Sequence, residues 1–310
     1  MSGIKIRGTG RGLPERVLTN DDLAKKVDTS DQWIVSRTGI RQRRLCTEET
    51  HADLCAAAAR AALERGGIRP EELGVCIVAT MTPDTLVPSA ACTMQRALGL
   101  SCDTLCFDLN AACTGFLYAL HTAECLLAAA PRKYGLVIGA DVFSRVLDWS
   151  DRSTCILFGD GAGAAVVEWR AEWPSAGAVL GCAGNDGLLR CPAGGTLSME
   201  GQQVFRFALE AVPWCIAQVL ERQGVTAEAV DLFVFHQANA RIIDLVAKKY
   251  GIPPEKYYKN IQRYGNTSAA SIPIALSELE EAGRLPAGTR AMLVGFGGGL
   301  TWGGALVEIA

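Results

Sequence analysis

Cys113 stands where a short apolar run, residues 105–109, gives way to a long helical run beginning Thr114-Gly115-Phe116. A chain reversing from strand to helix turns its first side chain outward, and the positive end of the helix favours thiolate over thiol. Thiols so placed titrate at roughly 3.5 to 7.5 instead of about 8.5, which makes Cys113 the candidate nucleophile. Free cysteines are more often buried and inert, so the assignment needs partners elsewhere in the chain. His236 begins His236-Gln237-Ala238-Asn239 at the end of an apolar run, residues 232–235. Its place ahead of a helix pushes the imidazole toward neutrality, the state that donates a hydrogen bond to a carbonyl. Gly265-Asn266-Thr267-Ser268 precedes the helical run 269–281. These are N-cap residue types, and the alternative use of Asn266 is as a neutral amide donor aimed into a site. The glycine-rich 295–304 has neither the lysine of a phosphate-binding loop nor the spacing of a dinucleotide fingerprint. Close backbone approach is its expected use, and a glycine N–H beside a cysteine thioester supplies an oxyanion donor of about 2.7–4 kcal/mol.

The 310 residues are 20% charged with a formal net charge of −3, a globular composition with no global attraction for nucleic acid or an anionic membrane. A phosphate-bearing partner therefore needs a local basic patch, and Arg37, Arg41, Arg43 and Arg44 provide residues for one. Twelve cysteines, with no apolar leader ahead of Ile4-Lys5-Ile6, imply reduced thiols in a cytoplasmic setting, without disulfides. No CxxC pair occurs, and His51, His121 and His236 lie at no zinc-ligand spacing, so no metal is expected. Residues 111–130 have the length of a membrane span, but Cys113, His121 and Glu124 interrupt them. A helix buried inside a large domain fits better than membrane insertion.

Short β-rich runs at 75–79, 104–109 and 136–139 alternate with helical runs at 52–65, 89–98 and 114–129. Near-continuous apolar strands imply an α/β protein whose sheets are covered by helices on both faces. Thr50 with Asp53 predicts an N-cap, Gly66 and Gly99 predict helix stops, and Pro213 should kink or divide the run 202–222. Residues 181–195 read as loop. A weak internal repeat relates Phe158-Gly159-Asp160-Gly161-Ala162-Gly163 to Phe296-Gly297-Gly298-Gly299, each leading into a strand. Two halves, 1–170 and 171–310, would then present Cys113 and His236 at corresponding strand ends, where open α/β sheets bind ligands.

With Cys113, His236 and Asn266 in that order, the chain resembles the β-ketoacyl-acyl carrier protein synthase III family, condensing enzymes of the thiolase superfamily. The resemblance runs over nearly the whole length and includes Asp28-Thr29-Ser30-Asp31-Gln32-Trp33-Ile34, Arg37-Thr38-Gly39-Ile40, Pro88-Ser89-Ala90-Ala91-Cys92 and Gly265-Asn266-Thr267-Ser268-Ala269-Ala270-Ser271, beside the two glycine-rich motifs. It implies a thiolase-like five-layer αβαβα fold of two pseudo-repeated halves, and a homodimer. It implies transfer of an acetyl or similar short acyl group from acyl-coenzyme A to Cys113, then decarboxylative condensation with malonyl-acyl carrier protein, with no cofactor. His236 and Asn266 would stabilise the enolate, and the N–H groups of Cys113 and Gly298 would form the oxyanion hole. By the same resemblance Trp33 and Arg152 would hold the adenine of coenzyme A, Arg37 its phosphates, and Asn239 and Phe296 would flank the pantetheine arm. Gln237, Ala238, Asn239, Ala240 and Arg241, with Lys248 and Lys249, match the region facing the carrier protein. Val87 and Asn110 depart from the family pattern near the acyl pocket, and the segment 183–197 is shorter than in some relatives, which leaves the primer open. The alternatives are a related Cys-His-Asn condensing enzyme of secondary metabolism or hydroxymethylglutaryl-coenzyme A synthesis, and a catalytically silent binding protein on the same scaffold.

Overall fold

In the computed structural model, which describes residues 3–310, strand Leu73–Ala79 is buried at every position and its alternate side chains enter two different cores. Val75, Ile77 and Ala79 pack with helices Gly115–Leu127 and Ser271–Glu281, whereas Cys76 and Val78 pack with helices His51–Gly66 and Ala90–Leu98. The second half repeats the pattern. Leu232, Val234, Leu293 and Val307 join the first of these cores, while Phe233, Phe235, Met292 and Val294 pack with helices Gly201–Gln223 and Ala240–Lys249. Strands apolar on both faces need cover on both, and the result is the expected αβαβα sandwich, with the apolar helix Gly115–Leu127 enclosed between two sheets. Among the described residues no helix is long and apolar enough to cross a membrane.

Both half-sheets have one strand order. In the first it is Gly3–Gly12, Gly161–Arg170, Tyr134–Asp141, Leu73–Ala79, Leu105–Leu109, antiparallel for the first two pairings and parallel for the last two. In the second it is Val179–Asn185, Gly299–Ile309, Arg290–Gly297, Leu232–Phe235, then a single parallel bridge from Phe233 to Tyr257. The half-sheets join where Lys5 and Ile6 pair with Glu308 and Ile309.

This order corrects the expected pairing of Cys113 with His236. Cys113 follows the edge strand Leu105–Leu109, whose counterpart is the Tyr257 bridge, so its equivalent is the corner at residues 266–269. His236 follows Leu232–Phe235, whose counterpart is Leu73–Ala79, so its equivalent lies at Thr80. The two corners match in backbone as well, with Ala112 at φ 47° and Ser268 at φ 52°. Sequence comparison misses the match because the second edge strand has shrunk to one bridge and offers no β-like run.

Thr50 caps helix His51–Gly66 with Asp53 in a reciprocal capping box, and Gly99 ends Ala90–Leu98. Gly67, one residue beyond the expected Gly66, ends the former. Helix Gly201–Gln223 runs undivided through Pro213. The proline removes one backbone bond, and burial of Val212, Pro213, Cys215 and Ile216, with the Tyr250 hydroxyl donating to the Pro213 carbonyl at 2.6 Å, holds the helix together. Residues 181–195 are not one loop: Val179–Asn185 is an edge strand, and Leu189–Arg190 pairs with Ser198–Met199. Glycines disguised the strand, since Gly181 lies against the Trp302 ring, 2.6 Å from where a Cβ would stand.

Candidate active site

Cys113 lies at the junction of two cavities. The larger, about 840 Å³, also reaches His236 and Asn266; the smaller, about 320 Å³, is mainly apolar, with Met81, Phe143, Phe158 and Leu197 in its wall. The sulfur sits on the turn Ala112–Thr114, between the edge strand and helix Gly115–Leu127, as the strand-to-helix reading places it. Its protonation differs from expectation. Burial pushes the thiol up to about 12, with the Ser268 hydroxyl, donating to Sγ at 3.4 Å, acting in the opposite direction. Desolvation disfavours the charged form, so the resting nucleophile is a thiol.

The second glycine-rich segment is used for close approach. A Cβ on Gly297 would stand 2.8 Å from the Cys113 amide nitrogen and 3.1 Å from its Cβ, while Gly298 lines the smaller cavity beside Cys113. Gly297→Ala must therefore displace the nucleophile. Because a misplacement of about 1 Å costs about 100-fold in rate, acyl transfer to Cys113 should fall by that order while circular dichroism stays native. Wild-type acyl transfer in this variant would refute the contact.

His236 follows strand Leu232–Phe235 and is buried. Its Nδ1 lies 2.7 Å from the Ser271 Oγ, which also accepts the Gln237 backbone N–H at 3.3 Å. When the Ser271 hydroxyl donates to Nδ1, the imidazole hydrogen is on Nε2. The Phe296 ring packs edge-on against the imidazole, with centroids 5.4 Å apart. Burial lowers the His236 pKa to about 3. The folded value lies below the unfolded one, so His236 contributes stability above its ordinary pKa, and that contribution is lost as pH falls toward 3. In the native protein it is neutral across the physiological range. Malonyl decarboxylation measured from about pH 5 to about 8 should therefore show no histidine titration; a limb near pH 6.5 that disappears in His236→Gln would contradict this assignment.

Asn266 is held by its backbone, whose N–H donates to the Leu157 carbonyl at 2.8 Å and whose carbonyl accepts the Gly159 N–H at 3.0 Å. Gly159 has to be glycine there, since a Cβ would meet the Tyr264 carbonyl at 2.3 Å. The Asn266 Oδ1 accepts the Ser268 N–H at 2.8 Å. The oxygen thus closes a local turn and caps no helix, since helix Ser271–Glu281 has no side-chain cap, which corrects the N-cap reading; the NH₂ is the remaining donor of a residue that lines the larger cavity.

Trp33, Arg37, Asn239 and Phe296 line the same larger cavity as Cys113, His236 and Asn266. Arg152 stacks over the Trp33 ring at 5.0 Å and donates to the Asp28 carbonyl at 2.7 Å. The Asn239 amide is committed locally: its oxygen caps helix Ala240–Lys249 and its nitrogen donates to the Arg37 carbonyl at 3.1 Å. Two expectations need correction. Arg43 belongs to no surface patch; it is fully buried and donates to the Leu18 and Ile156 carbonyls and to Asn20 Oδ1. Gln237 is also buried, donating to the Phe235 and Tyr258 carbonyls and accepting the Asn260 N–H, so it faces no partner. Ala238 and Ala240 are half-buried, whereas Arg241, Lys248 and Lys249 are exposed. His51 and His121 line neither cavity. Sequence reasoning missed Ser268 and Ser271 as functional partners, although both stand in the Asn266 motif, because serines ahead of a helix read as caps.

Comparisons with known proteins converge on one family. Residues 107–184 match the family 3-oxoacyl-[acyl-carrier-protein] synthase III, and residues 220–309 match its C-terminal family. The beta-ketoacyl-[acyl-carrier-protein] synthase III of Clostridium acetobutylicum is 44% identical, with 99% of each chain covered. That of Natranaerobius thermophilus is 47% identical, covering 99% of this chain and 100% of the other. The crystal structure of 3-oxoacyl-[acyl-carrier-protein] synthase III from Aquifex aeolicus superposes with a TM-score of 0.94 at 47% identity, over 99% of this chain and 100% of the other.

Proposed function

The chain belongs to the 3-oxoacyl-[acyl-carrier-protein] synthase III family, the initiating condensing enzymes of fatty acid synthesis, and from that premise we propose how its two cavities divide the reaction. Acyl-coenzyme A, a substrate and not a cofactor, enters through the larger cavity. Trp33 and Arg152 hold its adenine, Arg37 its phosphates, and Asn239 and Phe296 flank the pantetheine arm. The Cys113 sulfur attacks the thioester carbon; the new carbon–sulfur bond forms as the bond to coenzyme A breaks, and the acyl group lies in the smaller apolar cavity. The N–H groups of Cys113 and Gly298 form the oxyanion hole.

Malonyl-acyl carrier protein then brings its thioester against His236 and Asn266. Loss of carbon dioxide leaves an enolate, and the Nε2–H of His236 and the amide of Asn266 meet its oxygen as neutral donors. Such donors stabilise charge as it develops without first pairing with the malonyl carboxylate that must leave. The enolate carbon attacks the acyl carbonyl, Cys113 departs, and a 3-oxoacyl-acyl carrier protein is released. The observation that supports this division best is the place of Cys113, at the meeting of a cavity containing both donors and a second that is mainly apolar.

The carrier protein docks on helix Ala240–Lys249, where exposed Arg241, Leu245 and Lys248 share one face at helical spacing and Lys249 adds charge. The working unit is a homodimer of chains built from halves 1–170 and 171–310, acting in the cytoplasm. Leu86 and Val87, 90% and 87% exposed, are apolar side chains that a second copy would cover. Purified protein given acetyl-coenzyme A should form 3-oxoacyl product when the malonyl group is on carrier protein; product only from malonyl-coenzyme A would overturn the acceptor assignment.

A further inference from the structure

Two hydroxyls stand where the turn that carries the nucleophile meets the second glycine-rich segment, and neither takes part in the steps above. Thr114, with no solvent exposure, donates from Oγ1 to Thr301 Oγ1 at 2.9 Å, and Thr301 Oγ1 donates to the Gly298 carbonyl at 3.0 Å. Each hydroxyl has one hydrogen, and this chain of bonds uses both. The Ala111 carbonyl, 2.7 Å from Thr114 Oγ1 and 3.4 Å from Thr301 Oγ1, keeps the Thr114 N–H at 3.2 Å. Among the described residues these threonine contacts are the only hydrogen bonds that join residues 111–114 to residues 297–301. Elsewhere the two segments meet by packing alone, with Gly297 against Cys113 and Gly298 beside Ala112. The turn needs such a tie. Ala112 is in the left-handed region at φ 47°, a conformation that costs a non-glycine residue free energy and persists only where its surroundings hold it. The Asn110 Oδ1 takes the Ala112 N–H at 3.1 Å. No backbone or side-chain oxygen among the described residues accepts the N–H of Cys113 or of Gly298.

We propose that Thr301 is a positioning residue for acyl transfer: its hydroxyl, joined to that of Thr114, fixes the Gly298 loop against the Cys113 turn so that the two N–H groups converge on one oxygen. The inference rests on Cys113 as the nucleophile and on the oxyanion hole proposed above. When the sulfur attacks an acyl carbon, the carbon–sulfur bond forms as the carbonyl π pair moves onto oxygen. When that pair returns, the bond to the leaving group breaks. The charge rests on oxygen between these events, and donors already aimed at that point stabilise it without reorganising. Here the two donors come from distant parts of the chain, so their separation is set by whatever ties the segments together. A threonine suits the task because its branched side chain is stiff at χ1 and holds the hydroxyl in one direction. Thr301 lines the smaller cavity, but its hydroxyl is committed to the Gly298 carbonyl, and it acts on the reaction through that residue.

Iodoacetamide and p-nitrophenyl acetate separate the oxyanion hole from the sulfur. Alkylation displaces iodide at a saturated carbon and develops no oxyanion, whereas acetyl transfer from the ester to Cys113 releases nitrophenolate by way of one. Full-length wild type, Thr301→Val and Thr301→Ser are compared, with both reactions read on the Cys113 peptide by mass spectrometry. Thr301→Val keeps the shape of the side chain and should be acetylated about 10–100-fold more slowly, up to the cost of a misplacement of about 1 Å, with alkylation unchanged. Thr301→Ser, which keeps the hydroxyl, should stay within a few-fold of wild type in both reactions. Wild-type acetylation of Thr301→Val, an equal slowing of both reactions, or a serine variant as slow as the valine one would each overturn the assignment. If Thr301→Val does not fold, Thr114→Val removes the other end of the tie and decides the question by the same contrast. A protein that shows this contrast with the ester yet takes no acetyl group from acetyl-coenzyme A would instead refute the proposed function and leave the role of Thr301 standing.

Discussion

Cys113→Ala is expected to show no acyl adduct by intact-mass measurement after exposure to acetyl-coenzyme A, and its condensation rate should fall by about 10⁴–10⁶-fold, the scale of losing a covalent nucleophile. No other thiol is placed to substitute. Cys191 shares the smaller cavity, but its sulfur lies against the Pro192 and Gly195 carbonyls, and Cys191 is absent from the larger cavity that holds His236 and Asn266. Cys55, Cys76 and Cys215 are buried in the two outer cores. An adduct of undiminished yield in Cys113→Ala would mean that acylation occurs elsewhere.

The second large effect separates the two stages. His236→Ala and Asn266→Ala should each lower malonyl decarboxylation by about 10²–10³-fold, the value of one donor to a developing oxyanion, while acylation of Cys113 stays within a few-fold of wild type. The two substitutions together should cost less than the product of the separate losses, because both donors serve one enolate oxygen. Stopped-flow acylation and carbon dioxide release measured on the same preparations check this. Equal damage to both steps would mean that these residues position the sulfur and not the enolate. Ser271→Ala should reproduce part of the His236 effect, because it removes the hydroxyl 2.7 Å from Nδ1 that holds the imidazole in place.

The site was legible in sequence where chemistry is written into residue type at a chain corner. Cys113 and His236 each follow a strand signal and precede a helix signal, Asn266 precedes a helix signal alone, and the structure brings all three to one cavity. Local fold signals were equally direct, as Thr50 with Asp53 shows. What could not be read is set by tertiary packing. The burial that makes Cys113 a resting thiol is tertiary, and Gly297, 184 positions away in the chain, is among the residues that close on its backbone. Arg43 looked like surface charge until three acceptors from separate segments enclosed it. The equivalence of Cys113 with the Ser268 corner, and not with His236, depends on strand order, which no local pattern records.

The central claim is that one sulfur receives an acyl group from coenzyme A and passes it to a carbanion made beside it. A single-turnover chase tests it directly: wild-type protein is loaded with labelled acetyl-coenzyme A, freed of excess donor, and mixed with malonyl-acyl carrier protein. Mass spectrometry should show the label leaving the Cys113 peptide and appearing as 3-oxoacyl-acyl carrier protein, with one carbon dioxide per acyl group transferred. Label that stays on Cys113 while carbon dioxide is released, or product that forms without the label, would contradict the account.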